Sequence, residues 1–257
     1  HTDVDSKTGV CSVCEYQLTA GISGVGTAKY FDNIDNAFTA ALSEENNGCT
    51  LTLYKDCELS QNIVIGNATL TVDVNGHFIS PEIRGIDVND GGVLYLKNSR
   101  ENGSIDTEIE VNKGGTLING TADDSSSAVS VFSVYADAAK CVEIYGGSCT
   151  GLTVNNGTSG IALYGGSYEL IHTNDLTDST PVSALLAKGY AFAILNSVTH
   201  LPESIVDGSA VTLSEGIRNV TVVKHTDADH KYSSGTGKCG CGYVCPHSDV
   251  DSKTGVC

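Results

Sequence analysis

The sequence predicts an all-β fold, a right-handed parallel β-helix whose N-terminal end is covered by an α-helix. Two observations favour this fold class. Short apolar stretches with a period of two recur along the chain, separated by Asn, Asp and Gly. Two Tyr-Gly-Gly-Ser phrases begin at Tyr145 and Tyr164, 19 residues apart, a spacing that suits one coil of a β-helix with a glycine pair at its corner.

The capping helix is predicted at about residues 33–46. Its apolar residues fall at i, i+3, i+4, i+7 and i+8 behind an Asp or Asn cap, which places them on one helical face. They are Ile34, Ala37, Phe38, Ala41 and Leu42. A helix here would cover the open end of the solenoid, because an uncovered end strand recruits other chains.

The strand patterns follow the helix directly. They lie at 51–53, 63–65, 70–74, 91–96, 114–118, 140–147 and 159–166, and residues 181–189 form a short helical turn that leaves the last coils. An all-β sandwich is the alternative fold. It is disfavoured because the opening helix and the glycine pairs at coil spacing have no natural place in it.

Composition excludes two classes of function. The 257-residue chain has 14 Lys and Arg against 31 Asp and Glu, a net charge of -17, whereas nucleic-acid binding needs clustered positive charge. No apolar stretch approaches the ~20 residues of a membrane helix, so we expect no membrane insertion. The acidic balance is typical of a soluble or cation-binding surface.

The two ends of the chain repeat each other. Residues 1–11 and 247–257 differ only at the second position, Thr2 against Ser248, and a looser copy runs from 225 to 241. We therefore predict a junction module at 1–14, the β-helix at 15–224, and a second module at 225–257 that leads into the next repeat. Neighbouring repeats of the same polypeptide are the expected partners.

The junction modules are rich in Cys, His and Asp at short spacing. Close thiolates and imidazoles suit zinc, and Cys245, His247, Cys257 and the next Cys of the parent would make one set. Disulfides that stabilise a module too small for its own core are an equal alternative. The alternating aspartates suit calcium, although Lys7 and Lys253 would repel the ion. The candidate zinc or calcium ligands are His1, Asp3, Asp5, Cys11, Cys14, His225, Asp227, Asp229, Cys239, Cys241, Cys245, His247, Asp249, Asp251 and Cys257.

The solenoid contains two further kinds of candidate residue. Cys49 with Cys57, and Cys141 with Cys149, are each eight residues apart and are predicted as local disulfides, with buried free thiols as the alternative. Exposed tyrosines form a predicted glycan-stacking ladder, with the cover of strand edges as the alternative. The ladder consists of Tyr95, Tyr135, Tyr145, Tyr164 and Tyr168, with Tyr145, Tyr164 and Tyr168 as its main members.

Residues 33–80, with the helix and the phrase Asn75-Gly-His77-Phe-Ile-Ser80, resemble the opening of pectin-lyase-like β-helix domains in large Gram-positive cell-surface proteins. Residues 185–192 are similar to a phrase near the C-terminal end of those domains, and the end modules resemble the segments that join them. The resemblance implies the fold and an extracellular, cell-surface setting. It carries no catalytic residue.

Catalysis is not expected. Many β-helices degrade acidic polysaccharides with clustered carboxylates, and acids that fit such a face are Asp73, Asp87, Asp90, Asp106, Glu108 and Glu110. The chain has only three arginines, so its acidic surface would repel uronates. We expect a non-enzymatic structural or adhesive repeat unit of a secreted bacterial surface stalk or fibre, with a glycan- or host-receptor-binding adhesin domain as the first alternative and a polysaccharide lyase or hydrolase as the second.

The predicted inward faces lead to a first test. Replacing Leu51 or Ile144 with Asp buries an unpaired charge and should destabilise the domain by several kcal/mol. Thermal denaturation measures the effect. Unchanged melting would show that these side chains do not face the interior.

Overall fold

The structure is a computed structural model that describes residues 3–81, 85–155, 157–196, 198–199 and 201–225. The chain forms a parallel β-solenoid of about five turns, which confirms the predicted architecture at that level. The parallel pairing of its coils excludes the β-sandwich. The predicted ligands His1, Asp227, Asp229, Cys239, Cys241, Cys245, His247, Asp249, Asp251 and Cys257 lie outside the described residues.

Nineteen strands occur in the described part of the chain. They are β1 (Ala20–Ser23), β2 (Lys29–Phe31), β3 (Thr50–Leu53), β4 (Cys57–Leu59), β5 (Ile63–Ile65), β6 (Thr69–Asp73), β7 (Phe78–Pro81), β8 (Ile86–Val88), β9 (Val93–Lys97), β10 (Ser104–Val111), β11 (Thr116–Asn119), β12 (Ser130–Ala136), β13 (Cys141–Ile144), β14 (Ser148–Val154), β15 (Ile161–Leu163), β16 (Ser167–His172), β17 (Tyr190–Leu195), β18 (Pro202–Val206) and β19 (Ile217–Lys224). They form two sheets.

The first sheet stacks one strand from each coil. Its order is β15-β13-β11-β9-β6-β3, all parallel, and β1 and β2 continue it at the N-terminal end. Paired residues lie 19 positions apart at Val142 and Ile161 and 25 apart at Thr116 and Cys141. Coil length therefore varies through the loops, as the uneven glycine spacing predicted.

The second sheet contains the other two sides of each coil. In the early coils these sides are separate strands, β4 and β7 on one and β5 and β8 on the other. The longer β10 pairs with β7 through its first half and with β8 through its second half. The register of β10 against β12 shifts at residues 105–108 of β10. This irregularity separates the half of β10 that pairs with β7 from the half that pairs with β8.

Apolar side chains fill the interior in columns that run from coil to coil. On the first sheet, Leu70, Leu94, Leu117 and Val142 occupy one column, and each is 0% exposed. Their neighbours along each strand point outward, which explains the period of two in the sequence. Burial of each such side chain stabilises the fold by about 1.5–3 kcal/mol.

The glycine pairs are required at the corners by close contact between coils. Gly114 adopts a φ of 78°, in the left-handed region that favours glycine. A Cβ atom on its neighbour Gly115 would lie 2.2 Å from the carbonyl oxygen of Val88 in the preceding coil. Gly92 stands in the same relation to Ile65, also at 2.2 Å. The first glycine thus makes the turn and the second allows the coils to approach.

The N-terminal end is closed by a hairpin and a helix. Strands β1 and β2 are antiparallel, and β1 also pairs antiparallel with β3. Helix α1 spans Ile34–Ala41, is capped by the side chain of Asn33, and buries Phe38 completely. The helix is shorter than predicted, and a 3-10 turn at Glu44–Asn46 follows it. The side-chain amide of Asn46 donates to the carbonyl of Ala40 at 2.7 Å and thereby caps the C-terminal end of the helix. Within the described ranges, no helix is long and apolar enough to span a bilayer.

The C-terminal end is closed by antiparallel strands that the sequence did not reveal. Strand β19 pairs antiparallel with β16, and β17 and β18 extend the sheet beyond it. The predicted helical turn between β16 and β17 is confirmed as a 3-10 turn at Val182–Leu185. Gly189, with a φ of 84°, directs the chain from this segment into β17.

The corner contacts lead to a stability test. The substitution Gly115→Ala should lower the free energy of unfolding by about 1–3 kcal/mol, because the added methyl group meets a carbonyl oxygen that cannot move without its coil. Gly66→Ala is the matched control, since a Cβ there has no neighbour within 4 Å. Urea denaturation measures both. Equal stability of the two variants would contradict the proposed role of the corner glycine.

Candidate functional site

The described part of the predicted N-terminal module, from Asp3 onward, packs on the end of the solenoid. Isolated bridges join Val4 to Cys11 and Val10 to Gln17. The ring of Tyr54 lies against Gly9, and its hydroxyl donates to the carbonyl of Ser6 at 3.1 Å. The amide of Gln17 donates to the carbonyl of Tyr54 at 2.7 Å. These contacts hold the module in one orientation relative to the first coil.

The two described aspartates of this module form hydrogen bonds within its turns. A carboxylate oxygen of Asp5 accepts from the backbone amides of Lys7 at 2.7 Å and Thr8 at 3.2 Å. The hydroxyl of Ser12 donates to Asp3. Among the described residues, no group of three His, Cys, Asp or Glu side chains is placed to hold a metal ion. Asp3 and Asp5 serve as hydrogen-bond acceptors for nearby groups of the same segment.

Cys11 and Cys14 are the two candidate thiol ligands of this module that the structure describes. Cys11 is buried and Cys14 is exposed. Backbone N–H groups of Val13 and Cys14 donate to the sulfur of Cys11 and lower the pKa of that thiol, and the Cys14 side chain adds to the effect. Stabilised thiolates are the form that binds metal ions. The backbone N–H of His225, the first residue of the predicted second module, donates to the carbonyl of Gly189 at 2.8 Å.

The predicted local disulfides are not present. Cys49 and Cys141 lie on the first sheet side, whereas Cys57 and Cys149 lie on the second, and all four are free thiols. Burial raises the pKa of both Cys57 and Cys149 to about 12, so these thiols stay protonated. The structure thus corrects the predicted pairing in favour of unpaired thiols, of which Cys49 and Cys149 are buried and Cys57 and Cys141 are partly exposed.

Tyr168 is not part of a surface ladder. Its side chain points into the core with 1% exposure, and its hydroxyl donates to the carbonyl of Gly165 at 3.0 Å. Tyr95 lies on the outer surface of the first sheet. Tyr135 lies on the second sheet, where its hydroxyl accepts a hydrogen bond from the side-chain amide of Asn155. The predicted ladder is therefore wrong for Tyr168, and its members Tyr95 and Tyr135 lie on different sheets.

A different aromatic cluster forms at the corner that follows the first sheet. The rings of Tyr145 and Tyr164 stack with centroids 4.4 Å apart at 8°. Tyr190, at the start of β17, meets Tyr164 edge-on at 5.6 Å and 85°. The 19-residue coil causes the stack, because the backbone N–H of Tyr164 donates to Ile144, the residue before Tyr145. Sequence reasoning missed Tyr190, whose only local signal is the preceding Gly189.

These three rings line a cleft of about 560 Å³, which we call the tyrosine cleft. Glycine pairs at 146–147 and 165–166 contribute no side chains, and the charged lining residues are Asp123 and Lys224. The hydroxyl of Thr221 donates to the carbonyl of Gly166 at 3.0 Å, and Ser167 donates to Thr221 at 3.3 Å. The remaining lining residues are Thr121, Ala122, Ser125 and Val222.

The hydroxyl of Tyr145 is fixed by an acid on its own strand. It donates to the carboxylate of Glu143 at 2.9 Å. Burial, together with this hydrogen bond and the charge of Glu143, raises the pKa of Tyr145 well above its usual range. The phenol therefore stays neutral, and its ring keeps one orientation in the tyrosine cleft.

The candidate acidic face divides into structural and surface groups. Asp73 is buried and accepts from the backbone amides of Asn75 and Ser99, each at 3.0 Å. Asp106 accepts from the hydroxyl of Ser104 at 2.7 Å, and Asp90 contacts the corner at Gly114. Asp73 and Asp90 therefore belong to turns and corners, whereas Asp106 is an exposed residue of β10.

Asp87, Glu108 and Glu110 share one outer surface. Asp87 pairs with Glu110 across neighbouring strands. Burial, the like charges of Asp87 and Glu108, and a hydrogen bond to Glu108 raise the pKa of Glu110. Burial also raises the pKa of Asp87, with a further contribution from Glu108. The three carboxylates repel one another at neutral pH, and no metal-binding group of three such side chains occurs in the described residues.

This repulsion predicts a pH-dependent effect of Glu110→Gln. Because the folded-state pKa lies above the ordinary value of 4.5 for a glutamate, the native chain binds this proton more tightly than the unfolded chain does. The stabilisation by protonation is complete below 4.5 and is lost as pH rises through the folded pKa. Glu110→Gln should therefore raise the melting temperature at pH 7, and the gain should shrink as the pH falls through the folded pKa and should be lost below 4.5.

The matched control is Glu169→Gln, which removes an exposed carboxylate from β16. Thermal melts of both variants and the parent chain across pH 3.5–8 measure the effect. A gain for Glu110→Gln that does not change with pH would contradict charge repulsion as its cause.

Comparison with known proteins adds no assignment for this chain. No protein-family model, curated protein or solved structure matches it significantly. The function must therefore be argued from the sequence repeat and from the geometry described above.

Proposed function

We propose that the chain is a non-enzymatic structural unit of a tandemly repeated bacterial cell-surface polypeptide that is secreted and forms a stalk or fibre. The observation that carries this proposal is the recurrence of residues 1–11 at 247–257, on either side of a single solenoid. A right-handed coil and the resemblance to pectin-lyase-like domains of Gram-positive surface proteins belong to the same proposal.

The closed ends of the solenoid support a chain of separate units. The hairpin of β1 and β2 and helix α1 cover the first coil, and antiparallel β17, β18 and β19 follow the last one. Antiparallel closure interrupts the parallel coil at both ends, so one solenoid does not continue directly into the next. With a strand spacing of about 4.8 Å, five coils give each unit a height of roughly 24 Å before its ends are added.

The packed N-terminal module supports a stiff junction. Besides the contacts of Tyr54 and Gln17, the guanidinium of Arg100 donates to the carbonyl of Lys7 at 3.2 Å. Arg100 lies two coils from the N-terminal end, so the module touches more than the first coil. A module fixed in this way would transmit its orientation to the whole solenoid.

Zinc or disulfide bonds are the proposed means of joining units, with calcium as a further alternative. The N–H groups directed at the sulfur of Cys11 favour a thiolate and thus support zinc. The proposed extracellular setting favours disulfides, which stabilise modules that lack a core of their own. The neighbouring repeat supplies the partner surface in either case.

An enzymatic role is not proposed. The net charge of -17 and the cluster of Asp87, Glu108 and Glu110 repel the acidic polysaccharides on which many β-helix enzymes act. A glycan- or receptor-binding adhesin is the second candidate function, and the tyrosine cleft is the specific observation that favours it.

A two-unit polypeptide tests the structural proposal. Residues 1–246 followed by a full second copy reproduce the proposed repeat, since 247–257 match 1–11 at every position except the second. Small-angle X-ray scattering should show two beads in line, with a maximum dimension close to twice that of the single chain. Matched double variants, Cys11→Ser with Cys14→Ser in the second copy, should loosen this arrangement.

Native mass spectrometry of the same polypeptide identifies the link. Either bound zinc or oxidised cysteines at the junction are expected. A compact side-by-side arrangement, or a junction with neither metal nor disulfide, would overturn the proposal.

A further inference from the structure

Saccharide recognition has two physical requirements. The apolar C–H face of a pyranose ring needs a flat aromatic surface, and its hydroxyl groups need polar partners that converge on the same space. The tyrosine cleft is the place in the described chain where half-buried aromatic rings, fixed hydroxyls and charged side chains meet around one cavity.

The aromatic wall of the cleft is held in place before any ligand arrives. Tyr145 and Tyr164 are locked by their mutual stack and by the hydrogen bond from Tyr145 to Glu143. Tyr190 lies nearly perpendicular to Tyr164, so the two rings form a corner rather than a flat patch. A preformed aromatic corner lowers the entropic cost of ligand binding.

The floor of the cleft is kept open by glycine. A Cβ atom on Gly146 would lie 2.4 Å from the carbonyl oxygen of Ser125, and one on Gly165 would lie 2.2 Å from that of Tyr145. The close backbone therefore requires glycine at both positions, and neither residue adds a side chain to the lining of the cleft. Its volume of about 560 Å³ lies within the range of about 300–1,000 Å³ typical of small-ligand sites.

The polar groups of the cleft suit a neutral ligand. Asp123 and Lys224 supply one charge of each sign, so neither an anion nor a cation is favoured by the lining. Their side chains instead offer an acceptor and a donor for hydroxyl groups. The overall charge of -17 further disfavours polyanionic glycans.

We propose that the tyrosine cleft is a binding site for a neutral pyranose saccharide, with a sugar ring seated against Tyr164 and Tyr190 and its hydroxyls held by Asp123 and Lys224. The site gives the unit a recognition function beyond its proposed structural role and does not depend on that role. A short segment of one or two sugar rings fits the size of the cavity.

Binding is tested on the 257-residue chain with a defined panel of probes. Cellobiose, lactose, maltose, chitobiose and mannobiose are the neutral members, and oligogalacturonate and sialyllactose are the acidic ones. Isothermal titration and saturation-transfer NMR should detect at least one neutral member. Binding of acidic members alone, or of no member, would overturn the proposal.

Variants place the ligand in the cleft. Tyr190→Ala should weaken binding of the neutral probe by about tenfold, through loss of ring contact. Tyr95→Ala is the matched control, because Tyr95 is an exposed tyrosine outside the cleft lining. This variant should bind the neutral probe with the affinity of the parent chain. Equal losses for the two variants would contradict the assignment.

A second variant keeps the test decisive if Tyr190→Ala does not fold. Asp123→Asn with Lys224→Met changes only exposed side chains and should also weaken the neutral probe at least severalfold. Unchanged affinity of this folded variant would place the ligand elsewhere. The scattering profile of the two-unit polypeptide should stay the same in every cleft variant, which separates this proposal from the structural one.

Discussion

The register between successive coils is the constraint on which the rest of the structure depends. Inward side chains such as Leu70, Leu94 and Leu117 form continuous columns, and parallel backbone pairing holds each residue over its counterpart in the next coil. A slip of one residue would turn every inward side chain toward solvent. The core therefore enforces the register, and the register in turn places every surface group.

Surface chemistry follows from this register. Tyr145 and Tyr164 stack because they occupy the same position in consecutive coils, and Asp87 and Glu110 repel each other for the same reason. A stacked pair stabilises the corner, whereas paired carboxylates cost stability at neutral pH. In the solenoid, equivalent outward residues of consecutive coils thus lie one strand spacing apart, whether their interaction is favourable or not.

The sequence predicts features that depend on local pattern. The period of two, the amphipathic face of Phe38 and the corner glycines are local, and all three hold in the structure. Tyr168 was misplaced because the corner resets the alternation, so that Ser167 points outward and Tyr168 inward. Nothing in a single strand fixes that phase.

Non-local pairing accounts for the other differences. Tyr190 reaches the tyrosine cleft because β17 pairs with β19, which places Tyr190 opposite Lys224. The sequence around Tyr190 does not indicate which strand β17 pairs with. The predicted local disulfides are wrong because, over the eight positions that separate the two cysteines of each pair, the chain turns a corner onto the other sheet. Spacing in sequence does not give distance where the chain turns between sheets.

The coils stack in parallel around one shared apolar interior. NMR cross-peaks between side chains of neighbouring coils test this stacking most directly. Contacts that join Leu70 to Leu94 and Leu94 to Leu117, with the pattern of parallel strands, are the result that the account predicts. Close Hα–Hα contacts of antiparallel strands between β6, β9 and β11 would contradict it.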